Sequence, residues 1–376
     1  MEFDELIGSH YLVLLRNVEY HLRANHLLEN ACSLVVGSFY FRNKQLYAKG
    51  SRLLVAQLNE QIFKDGGHYE RSPMYHMIIL HRLLDIVNVL LGNKIFDSQE
   101  DLLQILKVKT GRMLSWAKNM SCNNCLPAFH DSTNTEKVNI PLVEAYARRL
   151  KIEMPVISLE DSNYRKYKTN DLSLVMDIGS ANPSFQPGHY HAGIFNFVLY
   201  VKDIPCIVDI GVSTYENNER RQYERSTMAH NTITINRVNQ SEVWDSFRVG
   251  RRAKVYIEKD IKDSLMATHD GYDDIGKRHR ITLNNLKDLI SMKHELISTG
   301  NRYSVTTNEM RLHFHPTINP KLLHSGIVVD GLFSFEFVNA SYVLENYSFA
   351  EDFNVLCEAK VLVITFVDWW ELIIRS

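Results

Sequence analysis

Cysteine is scarce in this chain. Its five residues, Cys32, Cys122, Cys125, Cys206 and Cys357, are odd in number and scattered over 376 positions. That excludes the disulfide framework of small secreted domains and makes reduced thiols the expectation. Cys122-Asn-Asn-Cys125 has the spacing of a metal or redox pair, but no second pair follows and no βαβ pattern surrounds it, so no functional role is expected there. A surplus of charge is also missing: 42 Lys+Arg stand against 44 Asp+Glu, a net charge of -2. This excludes the concentrated basic face of a dedicated nucleic-acid binder and any long charged tail. No run reaches the roughly 20 consecutive apolar residues of a bilayer span. The first residues carry Glu2, Asp4 and Glu5 where a signal peptide would carry Lys or Arg. The expected location is therefore cytoplasmic, or periplasmic or secreted if the natural chain begins further upstream.

Histidine, by contrast, is abundant, with 16 residues, several in tight groups. The length fits one very large domain or two of ordinary size. Apolar stripes of helical period run through Tyr11 to Phe39, Tyr47 to Phe63, Ser72 to Leu91, Asp97 to Trp116 and Pro141 to Leu150. In the third, Ile79, Leu83, Ile86 and Leu90 recur at four, three and four. Short polar links between such helices imply antiparallel neighbours. From about Leu172 the pattern changes to short alternating segments rich in Val, Ile, Thr, Phe and Tyr, with a hairpin expected from Phe195 to Ile210 around Lys202-Asp203 and further strands at Asn231 to Asn236, Arg252 to Ile257 and Ile281 to Leu283. Helices in one block and strands in another predict an α+β chain of two domains, 1–160 and 161–376.

Three groups of residues could carry chemistry. In Gly188-His189-Tyr190-His191-Ala192-Gly193, an extended backbone would point both imidazoles to one face with Tyr190 opposite. Asp209 ends the next strand and His230 opens another. His191, Asp209 and His230 would make a sensible ligand set for zinc or a similar divalent ion, against the plainer reading that each is a satisfied structural residue. In Glu70-Arg71-Ser72-Pro73-Met74-Tyr75-His76, Ser72 and Pro73 mark a helix start, which places Tyr75 in the first turn, near the positive end of the helix. Asn25-His26 puts an amide and an imidazole, both indifferent helix formers, on a helix that otherwise supplies apolar packing. An exposed face and a donor pair for a substrate carboxylate both fit. The pairs Arg220-Arg221 and Arg251-Arg252 read as solvated faces.

Together these segments resemble the heparinase II/III-like polysaccharide lyases and their alginate-lyase relatives. The resemblance is most specific from His189 through Asp209 to Arg225-Ser-Thr-Met-Ala-His-Asn-Thr232, and continues into Gln240-Ser-Glu-Val-Trp244 and Gly250-Arg-Arg-Ala253. It implies an N-terminal incomplete (α/α) toroid followed by an antiparallel β-sandwich, and cleavage of a uronic-acid polysaccharide by β-elimination. It further implies that Asn25 and His26 neutralise the uronate carboxylate, that Tyr75 protonates the leaving oxygen, that His189 acts as base or its partner, and that His191, Asp209 and His230 surround a supporting metal, zinc foremost. A tyrosine of the strand domain joins in some relatives; Tyr215 is the candidate and Tyr223 its rival. Two departures stand out. Gly193 replaces an acidic residue common in relatives, and the helical block is short, leaving room for a second copy of the chain or a partner chain to cover it.

The implied roles suit the side chains. Removing the C5 proton of a uronate requires neutralising the adjacent carboxylate, then a base at C5 and an acid at the C4 oxygen. A C5-uronate epimerase, using the same proton abstraction without bond cleavage, and a non-catalytic glycan-binding or assembly subunit remain the alternatives.

Overall fold

The structure is a computed structural model that describes residues 2–133, 139–300, 307–329 and 331–376. It divides into two compact units. One comprises Met1–Glu70, Tyr75–Asn119 and Val138–Ser162, the other Arg71–Met74, Met120–Lys137 and Asn163–Ser376. Two short stretches from the helical half of the sequence thus pack with the strands.

Six helices belong to the first half: α1 (Glu2–Arg16), α2 (Ala24–Tyr40), α3 (Lys44–Gln61), α4 (Pro73–Gly92), α5 (Gln99–Met120) and α6 (Ile140–Arg149). The stripe expected to run unbroken from Tyr11 to Phe39 is split between α1 and α2. The break has a local cause. Arg23 and Ala24 adopt φ values of 58° and 50°, which continue no right-handed helix. The Asn30 side chain holds the intervening loop, accepting from the Glu19 backbone N–H and donating to the Glu19 carboxylate, both at 2.9 Å. Asn25 and His26 therefore lie in the first turn of α2, not in the interior of a long helix. Asn43 caps α3 by accepting the Leu46 N–H at 2.9 Å. Gly50 lets α3 approach α2 closely, since a Cβ there would lie 2.9 Å from both Leu34 Cβ and the Val35 nitrogen. In α4 the expected stripe of Ile79, Leu83, Ile86 and Leu90 is fully buried. Among the described residues α4 is the one helix long and apolar enough to cross a bilayer by length and composition alone, and half of that window is buried inside the protein.

The second unit is built from antiparallel strands. Tyr164–Lys168, Leu172–Asp177, Phe197–Val201 and Ile204–Ile207 form one four-stranded sheet in sequence order. The last two are the expected hairpin, turning at Lys202 and Asp203 with φ of 49° and 63°, the left-handed pair a two-residue type I′ turn requires. An eight-stranded sheet and a further four-stranded sheet follow. The three sheets share one core in which Leu174, Phe197, Ile233, Met292, Leu312, Leu362 and Trp370 are buried. A seventh helix, α7 (Glu219–Arg225), lies between strands. The Cys122–Cys125 segment is a tight turn, its end residues exchanging backbone hydrogen bonds of 2.9 Å around Asn123 and Asn124 with φ of 49° and 62°.

Candidate active site

The His-x-His pair does not lie on a strand. Residues 186–193 form an irregular loop, yet the two imidazoles still converge, because one carboxylate draws both. His189 Nδ1 is 2.9 Å from Asp131 Oδ2, and His191 Nε2 is 2.8 Å from Asp131 Oδ1. Arg221 completes the group with a bidentate fork, Nη1 to Oδ1 at 2.6 Å and Nη2 to Oδ2 at 2.9 Å. Asp131 and Arg221 are wholly buried. Burial alone would raise the Asp131 carboxyl, but the Arg221 guanidinium and the two imidazole hydrogen bonds hold it well below the usual range. As an ionised acceptor, Asp131 fixes the proton of His189 on Nδ1 and that of His191 on Nε2. Tyr190 faces away, as expected, its hydroxyl 3.3 Å from Ser241 Oγ.

A second network steadies the same loop. Asp177 pairs with buried Arg71, lies 2.9 Å from His130 Nε2 and accepts the Gly179 N–H at 2.8 Å. His130 Nδ1 in turn accepts the backbone N–H of His191 at 3.2 Å. Burial keeps the His130 imidazole below its ordinary pKa, with Asp177 opposing that shift.

The proposed ligands His191, Asp209 and His230 are neighbours, arranged in a particular way. His230 Nδ1 is 2.8 Å from Asp209 Oδ2. Asp209 also accepts from Asn196 Nδ2 and, through Oδ1 at 3.1 Å, from the Gly211 N–H. The His191 and His230 rings lie 5.4 Å apart. Two buried nitrogens in this group, His191 Nδ1 and His230 Nε2, have no hydrogen-bond partner. With the other nitrogen of each ring donating to a carboxylate, both are bare lone pairs, the state a metal-ligating imidazole takes. Among the described residues no three His, Cys, Asp or Glu side chains form a ready-made metal-holding group. Asp209 stands behind His230 as a carboxylate orienting an imidazole. Gly193 is explained by the same packing, because a Cβ there would lie 2.9 Å from His230 Cδ2. The acidic residue of relatives cannot be accommodated while His230 keeps this position.

Tyr215 is half-buried. Its ring packs 5.3 Å from Phe247 and 4.9 Å from Phe353, with the Arg221 guanidinium 5.0 Å from its centroid. Phe247 in turn meets the His189 ring edge-on at 6.0 Å. Tyr223 instead packs against a separate cluster of Val208, Ile210 and Ala229. The structure thus brings Tyr215 to the side of His189 and takes Tyr223 away from it.

Asn25, His26 and Tyr75 belong to the helical unit. Asn25 is half-buried and His26 exposed in the first turn of α2, with His26 Nδ1 3.7 Å from Glu19 Oε1. The Arg23 side chain at the N-cap position does not cap this helix. Tyr75 is half-buried in the first turn of α4, as expected. His76 beside it is structural. It is fully buried, with Nε2 3.0 Å from the Met113 carbonyl, and burial lowers its pKa to about 3.

Asp131 and Arg221 went unrecognised in the sequence. Phe129-His-Asp-Ser132 follows the last long helix without any periodic pattern, and an adjacent His-Asp pair was the one available signal. Arg221 corrects the solvated-face reading of Arg220-Arg221, since it is wholly buried and bound to Asp131.

The architecture of helices followed by antiparallel sheets is that of heparinase III. The heparinase III BT4657 gene product matches 100% of this chain with a TM-score of 0.72 at 14% identity. A heparan sulfate lyase HepC mutant from Pedobacter heparinus matches 99% with a TM-score of 0.74 at 16% identity. A further heparinase III structure matches 95% at 0.70 and 16% identity. The chain spans 62%, 63% and 62% of these proteins respectively. A search of curated proteins gives no match to the sequence. The family match is direct: Heparinase II/III N-terminus covers residues 7–151, and Heparinase II/III-like, C-terminal covers residues 152–361. The chain belongs to the heparinase II/III family.

Proposed function

We propose that the protein is a polysaccharide lyase that cleaves a uronate-containing chain by β-elimination. The observation that carries this reading is the fixed tautomer of His189. With Nδ1–H committed to Asp131 at 2.9 Å, Nε2 is the ring's lone-pair nitrogen, the form a general base needs. The ring lies at the edge of a buried hydrogen-bonded group, its side chain 11% exposed, so that it is both held and reachable. In this reading His189 takes the C5 proton and Tyr75 delivers a proton to the C4 oxygen. Asn25 and His26 offset the uronate charge as it grows. Tyr215 assists from the strand unit.

A divalent metal, zinc foremost, fits the lone pairs of His191 Nδ1 and His230 Nε2, with Asp209 orienting His230. The metal would supply rigidity to the loop that carries His189 and neutralise two buried lone pairs. The expected result is sub-stoichiometric metal, by elemental mass spectrometry, in His230→Ala purified beside a metal-loaded wild type, with a lower Tm. Equal metal in both proteins would remove His230 from the set.

The activity is tested by incubating heparosan, heparan sulfate, hyaluronan, chondroitin and alginate with the protein in D2O and analysing the chains by mass spectrometry. Shortened chains with an unsaturated terminal uronate are expected. Full-length chains carrying deuterium at C5 would make the protein an epimerase instead. Tyr75→Phe is expected to lower kcat by about a hundredfold or more, the scale of a lost general acid, with the fold unchanged by circular dichroism. Full activity in that variant would exclude Tyr75 as the acid.

A further inference from the structure

The segment Gln240 to Ala253, which carries part of the family resemblance, has no part in the chemistry described so far. It holds a short hairpin, Val243–Trp244 paired with Arg248–Val249, whose tip is Asp245-Ser246-Phe247. Three consecutive carbonyls of this hairpin point into the protein and are bound there. Arg225 Nη1 donates to the Trp244 and Asp245 carbonyls at 3.1 and 3.0 Å. Gln222 Nε2 donates to the Asp245 carbonyl at 3.0 Å. Arg221 donates to the Ser246 carbonyl through Nε at 3.0 Å and Nη2 at 2.8 Å. Arg221 and Arg225 are both fully buried. Two buried guanidinium groups are thus used to pin a surface hairpin, and one of them is the same Arg221 that grips Asp131 behind His189.

With its carbonyls held inward, the hairpin keeps two large aromatic side chains at the surface. Trp244 is 46% exposed and Phe247 is 41% exposed. Each is braced. A Cβ on Gly250 would lie 2.8 Å from the Trp244 ring, so the glycine backbone is flush against the indole. The Arg221 guanidinium lies 5.2 Å from the Phe247 centroid, and Tyr215 packs beside it. Single exposed aromatics are ordinary, but Phe247 meets the His189 ring and Trp244 lies in the same hairpin. The rim is polar, with Glu242 and Arg248 exposed in the same hairpin.

We propose that the hairpin Val243–Val249 is a sugar-stacking subsite next to His189, with Trp244 and Phe247 as its floor, and that Arg221 couples its position to that of the base. The inference rests on the lyase reading above and adds to it the part of the site that grips the sugars flanking the reacting uronate. A pyranose offers an apolar face of C–H groups edged by hydroxyls, which suits flat aromatic rings with a polar border. Rigid aromatics lose little conformational freedom on binding. Arg248 supplies a cation for a carboxylate or sulfate at the edge of the same sugar.

The test uses the uronan that the wild-type protein turns over. Trp244→Ala and Phe247→Ala are expected to raise KM by about tenfold, as loss of one aromatic contact to the sugar implies, with a smaller change in kcat for Trp244→Ala, since it is Phe247 that meets the His189 ring. Phe247→Tyr should restore KM. A spectroscopic readout guards against misfolding of the alanine variants. Of the four tryptophans, Trp116 and Trp370 are fully buried and Trp369 is 37% exposed, so the readout uses a Trp369→Phe background, in which oligosaccharide binding should shift Trp244 emission and the shift should vanish on adding Trp244→Phe. Wild-type KM in both alanine variants, or an undiminished emission shift in Trp244→Phe, would overturn the subsite while leaving the lyase standing. A wild-type protein that neither binds nor alters any uronan would overturn the lyase reading and the sugar assignment with it.

Discussion

Asp131→Asn is expected to lower kcat by about a thousandfold or more, the scale reached when the carboxylate behind a catalytic imidazole is neutralised, and to destabilise the fold by about 3–5 kcal/mol. Both effects follow from one geometry. The carboxylate accepts from His189, His191 and both terminal nitrogens of Arg221, and all of these depend on its two acceptor oxygens. An amide of the same size keeps one acceptor and presents an NH2 where the other stood. In either orientation that NH2 faces one terminal nitrogen of Arg221 and one imidazole, so the buried guanidinium loses its counter-charge and that imidazole's proton is forced to the opposite nitrogen. If it turns to His189, Nε2 becomes protonated and can no longer act as base. Turnover of the identified uronan, with urea unfolding monitored in parallel, checks both arms. A variant that retains wild-type kcat would show that the tautomer of His189 does not matter to the reaction.

The second large effect is acid sensitivity. Three histidines line up across neighbouring strands of the eight-stranded sheet, with His269 opposite His279 and His294 opposite Trp370 in register. Their hydrogen bonds run in one direction. The Gly271 N–H donates to His269 Nδ1 at 3.1 Å, so His269 Nε2 must carry the proton given to His279 Nδ1 at 3.2 Å, and His279 Nε2 the proton given to His294 Nδ1 at 2.9 Å. One backbone N–H therefore sets three tautomers. An added proton has no lone pair in this row that is not already accepting. Burial lowers the pKa of His269 and His294 to about 3, and that of His76 in the helical unit likewise; it takes His279 well below its ordinary value.

A histidine whose folded pKa lies below its unfolded value of about 6.5 leaves stability untouched above that pH. Below it the unfolded chain takes up protons that the folded one refuses, and stability falls until the folded pKa is reached. At pH 4.5 the three groups near 3 together cost on the order of 8 kcal/mol, comparable to the whole stability of an ordinary domain. Only below about pH 4 do Asp131 and Asp177, whose pKa values are lowered, add to the loss. Tm measured from pH 8 to pH 4.5 should be flat to about 6.5 and then drop steeply. A flat profile to pH 5 would mean that these imidazoles are not held neutral.

Much of this protein was legible in its residues. The Ile79, Leu83, Ile86, Leu90 stripe and the Lys202-Asp203 turn are local patterns, and the structure has them where they were read, because helix period and hairpin chirality depend on a few neighbouring residues. The break between α1 and α2 was missed because an apolar stripe does not register the left-handed φ of Arg23 and Ala24 or the reach of Asn30 back to Glu19. The resemblance carried by His189 to Ala253 led to the family and named His189, His191, Asp209 and His230 as candidates, but not Asp131 or Arg221, whose roles are set by contacts between distant parts of the chain.

What the sequence determined by itself was the inventory: an α+β chain without charge surplus or disulfides, the His-x-His pair, and the aromatic segment that follows. Tertiary structure alone decided how the inventory is connected. It made Asp131 the partner of His189 and His191, set Asp209 behind His230, and buried Arg221 between the base and the aromatic hairpin. These pairings join residues between 21 and 90 positions apart. Which carboxylate meets which imidazole is settled by the packing of loops and strands from distant parts of the chain, where each buried charge must find an opposite charge or a hydrogen bond.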